Sequence, residues 1–315
     1  MAKHNRPRKG SLAYNPRKRA DSQVPRINFW PSREQPGLLG FAGYKAGMTT
    51  VSFIDDSNAP TKNAEVFRAA TVIEVPDMVV YAIRAFHAGQ IKADQMSDDE
   101  KILKELKIKK LEKKNQISAQ DADEIFVLAY ARPSKCGFGK KHIERMMIGV
   151  GGKNTEEKLK YAQSILGKEV KASEAIKEGE YLDSFSVTKG KGWQGAVKRF
   201  GISTQRPKST GKVRHVGTLG AFGYGAVYHT VPMAGQMGYQ NRHDLNKRVV
   251  KIANPQEVNP NGGFPHYGVA KNTCLLVLGS IGGPQKRLIR LRKAERKTEA
   301  KAMQVLSIST EAKNR

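Results

Sequence analysis

The residues best suited to chemistry in this sequence are basic side chains interleaved with aromatic rings and glycines. Twelve Lys or Arg residues lie from Lys189 to Lys251, against one acid, Asp244, and the stretch from Ser184 to His243 contains no Asp or Glu at all. Lys and Arg neutralise phosphates, planar rings stack on unpaired bases, and glycines let the main chain approach a sugar-phosphate backbone. Because a carboxylate on such a surface would repel phosphate, this composition indicates binding to RNA.

Other chemistries fit the sequence less well. The segment GKGWQG (190–195) has the glycine spacing of a dinucleotide-binding loop, but it lacks the long helix and the later acid that such a loop needs. GVGGKN (149–154) and CGFGKK (136–141) lack the full spacing of a phosphate-binding loop. Cys136 and His142 have no second pair at metal-ligand spacing, and the seven histidines form no grouping with Ser and Asp. The sequence therefore offers no candidate catalytic residue and no candidate metal site.

Length and charge narrow the class of protein. A chain of 315 residues can bury a sizeable core in one to three domains, and its formal net charge is +26. Such self-repulsion favours a polyanionic partner, with nucleic acid as the first candidate and an anionic membrane surface as the second. No apolar run approaches the roughly 18 residues of a spanning helix, and no apolar segment follows the basic N-terminus as in a secretory signal. The two cysteines, Cys136 and Cys274, form no disulfide framework, which fits a reducing, cytosolic compartment.

Two segments of the chain differ sharply in charge: a basic N-terminal arm and a neutral, glycine-rich loop. Residues 1–33 hold nine Lys or Arg against one acid, Asp21, with few apolar side chains, so we expect this arm to be disordered when alone. The segment from Gly217 to Gly238 has six glycines and no charged residue. Its basic flanks, 189–214 and 242–251, predict the two sides of an extension whose neutral tip packs inside folded RNA.

Hydrophobic patterns predict a mainly β protein with an α/β insertion at about residues 90–180. Alternating or continuous apolar runs predict strands at 38–54, 66–75, 79–88, 125–131, 181–189, 247–253 and 272–283. Residues 97–115 predict a helix that begins with a capping box of Ser97 and Glu100, and residues 155–166 predict a helix ended by Gly167. The last thirty residues predict a strand followed by a helix.

Three segments identify a family. FAGYKAGMTT (41–50), SFSVTKGKGWQGAVKRFG (184–201) and VPMAGQMGYQNRHDLNKRVVKI (231–252) closely resemble the universal large-subunit ribosomal protein L-three family in its archaeal and eukaryal form. The resemblance covers nearly the whole chain. It implies a translation-protein-type β-barrel of six strands, an inserted α/β region, and two extensions that penetrate the large-subunit RNA.

The resemblance divides the chain into seven parts. They are a basic N-terminal extension (1–36), the first part of the barrel (37–90), the α/β insertion (91–180), a barrel strand leading into the finger (181–200), the RNA-penetrating finger loop (201–245), the remainder of the barrel (246–293) and a basic C-terminal tail (294–315).

The function implied by the resemblance is structural. Family members are constituents of the cytoplasmic large ribosomal subunit, bind its rRNA, nucleate early assembly, and are not enzymes. Their finger loop approaches the peptidyl transferase centre, where it influences tRNA accommodation and elongation-factor engagement. The implied partners are large-subunit rRNA and neighbouring ribosomal proteins, including the one numbered fourteen, with no membrane, no small-molecule substrate and no cofactor beyond the Mg²⁺ of the rRNA.

Carried over by residue, the resemblance assigns the tip and the base of the finger. The predicted tip consists of Ala221, Phe222, Gly223 and Tyr224, with Phe222 where many relatives have tryptophan, and the glycine–glutamine pair of the base is Gly235–Gln236. Thr210 replaces a histidine of the eukaryal members, so no histidine modification is expected there. The predicted rRNA-binding residues are Arg6, Arg8, Lys9, Arg17, Lys18, Arg19, Arg26, Lys45, Lys189, Lys191, Trp193, Lys198, Arg199, Arg206, Lys208, Lys212, Arg214, His215, Arg242, His243, Lys247 and Arg248.

Two other functions remain open from the residues alone. The first is a free RNA-binding or RNA-chaperone protein, which differs from a ribosomal protein in not co-sedimenting with large subunits at high salt. The second is an RNA-modifying enzyme, which would need a cofactor loop or a catalytic acid.

The excess of basic residues predicts a steep salt dependence of RNA binding. Each phosphate contact contributes up to about 0.9 to the slope of log affinity against log salt concentration on duplex. We therefore expect the isolated protein to bind structured RNA with a slope steeper than about −4, measured by filter binding between low and moderate salt. A slope near zero would contradict the electrostatic interpretation.

Overall fold

The structure, a computed structural model, describes residues 7–108, 117–118, 122–220, 223, 225–297 and 299–311. Within these residues the strands, in chain order, are β1 (Gly37–Leu38), β2 (Gly40–Ile54), β3 (Glu65–Glu74), β4 (Met78–His87), β5 (Gln90–Met96), β6 (Glu124–Ala131), β7 (Glu144–Gly151), β8 (Glu169–Val170), β9 (Tyr181–Val187), β10 (Trp193–Gln194), β11 (Gly235–Gln236), β12 (Asn241–Ala253), β13 (Cys274–Leu278), β14 (Leu288–Lys293) and β15 (Val305–Ile308). The helices are α1 (Glu100–Leu106), α2 (Thr155–Ile165), α3 (Ala172–Ala175), α4 (Ala196–Phe200) and α5 (Pro255–Val258).

These elements belong to two units. The extension unit consists of Met1–Ser22 and Val187–Asn241, and the barrel unit consists of Gln23–Ser186 and Arg242–Arg315. Each unit therefore combines segments that lie far apart in the sequence.

The larger sheet of the barrel unit closes on itself. Going round it, β2 pairs with β3, β3 with β13, β13 with β12, β12 with β9, β9 with β14, and β14 again with β2. The sequence runs that predicted these strands are rich in β-branched and aromatic residues, whose side chains pack well on a pleated surface. The ring of pairings forms the six-stranded barrel that the resemblance implies.

Strand β2 also holds the C-terminal segment. It is 15 residues long, and it pairs with β14 from Gly40 to Tyr44 and with β15 from Val51 to Phe53. The helix predicted near the C-terminus is wrong for the residues described there, because Val305–Ile308 instead forms β15. The local sequence of this segment does not reveal that β2, about 250 residues earlier, is available as a partner. Pairing with β2 makes the segment a strand.

A second sheet carries the insertion. Its strand order is β1-β7-β6-β4-β5, and β8 also pairs with β4. The predicted boundary at residue 90 assigned β4 to the barrel, but its pairing with β5, β6 and β8 places it in this second sheet. Its apolar run suits either sheet, so only the pairing settles the question. Both sheets contribute to one continuous apolar core.

Of the two helices predicted in the insertion, one forms as predicted and the other is shorter. Helix α2 matches the prediction, and Gly167 follows it with a left-handed φ of 77°. Helix α1 is shorter than predicted because Lys107 adopts a left-handed conformation that ends it, and residues 109–116 lie outside the described part. Its N-cap is Asp99, whose carboxylate accepts from the Lys101 N–H at 2.9 Å, so the capping box of Ser97 and Glu100 is not formed.

The segment 23–36 is packed within the barrel unit by two buried arginines of β14. Arg290 donates to the carbonyl of Pro25 at 2.8 Å, and burial lowers its pKa to about 10. Arg292 donates to the carbonyl of Phe29 at 2.8 Å and to the carboxylate of buried Asp183 at 2.6 Å. These charged bonds compensate the desolvation of both guanidinium groups.

A buried carboxylate joins the insertion to the barrel. Glu74, at the end of β3, is fully buried and accepts hydrogen bonds from the main-chain N–H groups of Gly137, Lys271 and Asn272, from the Asn272 side-chain amide and from the Tyr267 hydroxyl. Gly137 belongs to the insertion, whereas Tyr267 and Asn272 precede β13. The single carboxylate thus satisfies donors from two parts of the barrel unit.

We expect Glu74→Ala to lower the free energy of unfolding by about 3 kcal/mol or more, because it leaves several buried donors without an acceptor. Glu65→Ala is the matched control, since Glu65 is an exposed residue of the same strand, and its effect should stay within about 0.5 kcal/mol. Urea unfolding of the two variants measures the difference. Equal destabilisation by both would contradict the central position of the Glu74 carboxylate.

Candidate nucleic-acid interface

Charge is distributed very unequally between the two units. The extension unit contains fifteen Lys or Arg residues and one acid, Asp21, so it holds more than half of the net charge of +26 in fewer than a quarter of the residues. Most of its described basic side chains are exposed, namely those of Arg8, Lys9, Lys18, Arg19, Lys189, Lys191, Lys198, Arg206, Lys208, Lys212 and Arg214. A surface of this kind attracts phosphate over its whole length.

The base of the finger is a short two-stranded ribbon. Trp193 pairs with Gln236 and Gln194 pairs with Gly235, which brings β10 against β11. The Gln236 side-chain amide donates to the carbonyl of Gly238 at 2.9 Å. Gly238 has a φ of 70°, and a Cβ there would lie 2.1 Å from the Lys189 carbonyl oxygen. The ribbon therefore requires glycine at this turn, and it presents the Trp193 ring with 77% of its surface exposed.

Arg199 crosslinks the base of the finger through hydrogen bonds to main-chain carbonyls. From the last turn of α4 its guanidinium donates to the carbonyls of Gln236 and Met233, both at 3.0 Å, and to the carbonyl of Arg17 at 3.2 Å. Burial, with the charge of Arg17 nearby, lowers the pKa of Arg199. The group predicted to contact RNA here joins α4, the returning chain and the N-terminal arm, and its contact with RNA stays a prediction.

Residues 7–22 of the N-terminal arm form part of the same unit. The Arg8 guanidinium donates to the carbonyl of Thr230 at 2.8 Å, and the Ala20 N–H donates to the carbonyl of Tyr239 at 2.8 Å. The Phe200 ring lies so close to Gly10 that a Cβ there would be 2.4 Å from it, and the Arg17 guanidinium lies 4.7 Å from its centroid. Composition predicts disorder for this arm when alone, but residues 7–22 have partners in the finger that composition does not reveal.

A polar groove of about 880 Å³ lies between the arm and the base of the finger. Lys18 and Arg19 line one side together with the single acid Asp21, Gly190 and Gly192 line another, and the Tyr239 ring completes it. The glycines expose bare main chain, and the two basic side chains supply positive charge. This arrangement is suited to a sugar-phosphate backbone, because phosphates need cations and a close approach needs walls without side chains.

The outer part of the finger is exposed and basic. Within its first flank, the Gln205 N–H donates to the carbonyl of Val213 at 2.9 Å, which brings these two parts of the flank together. His215 is exposed, and its ring nitrogen Nδ1 lies 2.7 Å from the carbonyl oxygen of Val216. Of the predicted tip, Gly223 is exposed, whereas Ala221, Phe222 and Tyr224 lie outside the described residues, as does the predicted contact residue Arg6.

Six predicted contact residues belong to the barrel unit, among them Lys45, Arg248 and His243, whose internal partners are as follows. Lys45 donates to the carbonyls of Ile281 and Gly283, and burial lowers its pKa. Arg248 forms a two-fold ion pair with Asp56, at 2.8 and 2.6 Å. His243 stacks on Phe185 with the ring centroids 4.0 Å apart, and burial lowers its pKa. The remaining three are the exposed Arg26 and the half-buried Arg242 and Lys247.

The main-chain carbonyls are the feature that sequence reasoning missed, whereas Tyr239 was among the aromatic rings predicted to lie between the basic residues. No side-chain pattern reveals that the carbonyls of Thr230, Met233 and Gln236 accept from arginines. The position of Tyr239 next to Gly238 in an acid-free stretch was the one available signal for the groove.

The described part of the chain holds no candidate for a membrane-spanning helix or a metal site. None of its helices is long and apolar enough to cross a membrane. No group of three or more His, Cys, Asp or Glu side chains there is placed to hold a metal ion. Burial raises the pKa of the Cys274 thiol to about 12, and it also raises that of Cys136, so neither thiol is reactive near neutral pH.

Comparison with known proteins gives one consistent result. The family model described as Ribosomal protein L3 matches residues 1–91 and 85–311. The chain is 45% identical to the large ribosomal subunit protein uL3 of Archaeoglobus fulgidus and 41% identical to that of Methanothermobacter thermautotrophicus, with 99% of each chain covered in both cases. It is also 45% identical to the uL3 of Methanocorpusculum labreanum, with 94% of each chain covered.

The position of Arg199 predicts that its loss loosens the base of the finger. Arg199→Ala should speed amide hydrogen exchange in residues 233–238 by tenfold or more, since a hydrogen bond to a charged group contributes about 1.5–3 kcal/mol. Lys198→Ala removes the same charge from an exposed neighbour on α4, so it should leave that exchange unchanged. Exchange measured by mass spectrometry distinguishes the two, and equal acceleration in both variants would refute the fastening role.

Proposed function

Because the chain belongs to the ribosomal protein L3 family, we propose that it is a structural constituent of the large ribosomal subunit and binds large-subunit rRNA. Proteins of this family are structural components and not enzymes, and their place is the cytoplasmic large subunit. The single observation that carries the RNA partner is the concentration of fifteen Lys or Arg residues and only one acid in the extension unit.

The exposed basic residues of the finger and the arm hold the RNA backbone. Lys208, Lys212 and Arg214 have exposed side chains and precede the predicted tip in the sequence, and they neutralise phosphates along the inserted chain. The groove beside Lys18 and Arg19 takes another stretch of backbone. These contacts position the protein, and they carry little base specificity.

The finer roles concern the tip and assembly. The tip, Ala221 to Tyr224, lies close to the peptidyl transferase centre and influences tRNA accommodation and elongation-factor engagement. The protein joins the rRNA early and nucleates assembly, and its neighbours include the ribosomal protein numbered fourteen. It uses no cofactor of its own, and the structural Mg²⁺ belongs to the rRNA. What supports these roles is the resemblance of the finger segments together with the uncharged composition of residues 217–238.

Charge reversal in the finger tests this function. Lys208, Lys212 and Arg214 replaced together by Glu should reduce incorporation into large subunits at least tenfold, because three attractive phosphate contacts become repulsive. Incorporation is measured as the amount of tagged chain that co-sediments with large subunits after a high-salt wash.

The matched control replaces three exposed lysines of the insertion helices by Glu, namely Lys101, Lys104 and Lys160. This variant should be incorporated normally. If the wild-type chain itself washes off at high salt while still binding RNA, it is a free RNA-binding protein instead. Equal loss in both triple variants would mean that total charge matters and the finger does not.

A further inference from the structure

A second cavity of the extension unit has a different character from the polar groove. It has a volume of about 560 Å³, within the roughly 300–1,000 Å³ of small-ligand sites. Its wall is apolar and aromatic, formed by Phe200, Tyr228, Val231 and Met233. Met233 and Tyr228 are 42% and 51% exposed, so the chain leaves apolar surface open here. Exposed apolar surface in a concave site indicates an occupant that brings an apolar or planar group.

The edge of this cavity is positively charged. Arg17 and Arg199 line it, and among its described lining residues there is no acid. Both guanidinium groups donate to main-chain carbonyls, Arg17 to Ser11 and Arg199 to Gln236 and Met233. A carbonyl satisfies an N–H without neutralising the positive charge, so the edge still attracts an anion. The occupant therefore combines a planar group with a negative charge.

Dimensions and charge together single out one occupant. The sugar-phosphate backbone of a duplex has its bases paired and stacked inside, so it offers no planar group to a narrow cavity. An unpaired nucleotide offers both, since its base stacks on rings and guanidinium planes while its phosphate faces the arginines. An apolar protein side chain would fill the wall but would leave both arginines without an anion.

We propose, on the basis of the function proposed above, that this cavity receives one unpaired nucleotide turned out of the large-subunit rRNA. The base packs against the open apolar surface of Tyr228 and Met233, and the adjoining phosphates lie beside Arg17 and Arg199, whose guanidinium groups cover the Phe200 ring. None of the lining residues belongs to the predicted tip, and the site reads the local shape of the RNA, because only an RNA with an unpaired nucleotide at this place fits.

Filling the cavity tests this assignment in the assembled subunit. Val231→Trp places a large ring inside it, and Val213→Trp is the matched control, because Val213 is exposed elsewhere in the same loop. Large subunits carrying each variant are probed with a 2′-hydroxyl acylating reagent along the entire rRNA. We expect one unpaired nucleotide to become at least fivefold more reactive with Val231→Trp and to keep its wild-type reactivity with Val213→Trp.

A second measurement covers a Val231→Trp chain that fails to assemble. Benzoyl-phenylalanine at position 231, or at 213 as the control, is activated by light in otherwise wild-type subunits, and the crosslinked molecule is sequenced. A crosslink from position 231 to one unpaired nucleotide supports the assignment. A crosslink to a neighbouring protein or to paired nucleotides, or an unchanged reactivity profile in assembled Val231→Trp subunits, would overturn it. Failure of the proposed function looks different, because then the wild-type chain is not found in large subunits at all.

Discussion

The extension unit has a single carboxylate side chain, Asp21, and the hydrogen bonds of its arginines follow from that scarcity. Arginines in a folded protein need acceptors for their N–H groups, and carboxylates are the usual ones. In this unit the acceptors are main-chain carbonyls: Arg8 donates to Thr230, Arg17 to Ser11, and Arg199 to three carbonyls. Such bonds fix the geometry of the loop and leave its positive charge intact. One arginine can thus support the fold and still add to the field that attracts RNA.

In the barrel unit, which is not under this constraint, some arginines such as Arg290 also donate to main-chain carbonyls, but several others pair with carboxylates. Arg84, Arg132, Arg248 and Arg292 are all paired with carboxylates at 2.8 Å or less. Its buried polar groups, above all Glu74 and the Asp183–Arg292 pair, join segments that lie far apart in the chain. With forty basic and twenty-eight acidic residues, this unit has a more ordinary charge balance, as a domain with its own apolar core needs.

The extension unit buries little apolar surface, so its contacts with the N-terminal arm contribute much of its stability. Of the described residues of this unit, few are buried, among them Ala196 and Gly235. The contacts of Gly10, Arg17 and Ala20 with Phe200, Arg199 and Tyr239 therefore replace much of what a core would do. Since these contacts are few, the RNA proposed to fill the groove and the cavity would supply the remaining packing.

The sequence by itself determined the partner and most of the strands. Charge counts need no coordinates, so the absence of acids from Ser184 to His243 indicated RNA, and β-branched and apolar runs located the barrel strands and β6. Tertiary structure alone decided which strands pair, and it placed β4 in the second sheet and made Val305–Ile308 a strand. The tertiary structure also decided which basic side chains are exposed and which donate to main-chain carbonyls. Lys198 and Arg199 are adjacent and alike in sequence, yet one is exposed and the other holds three carbonyls, because direction from a helix is a property of the fold.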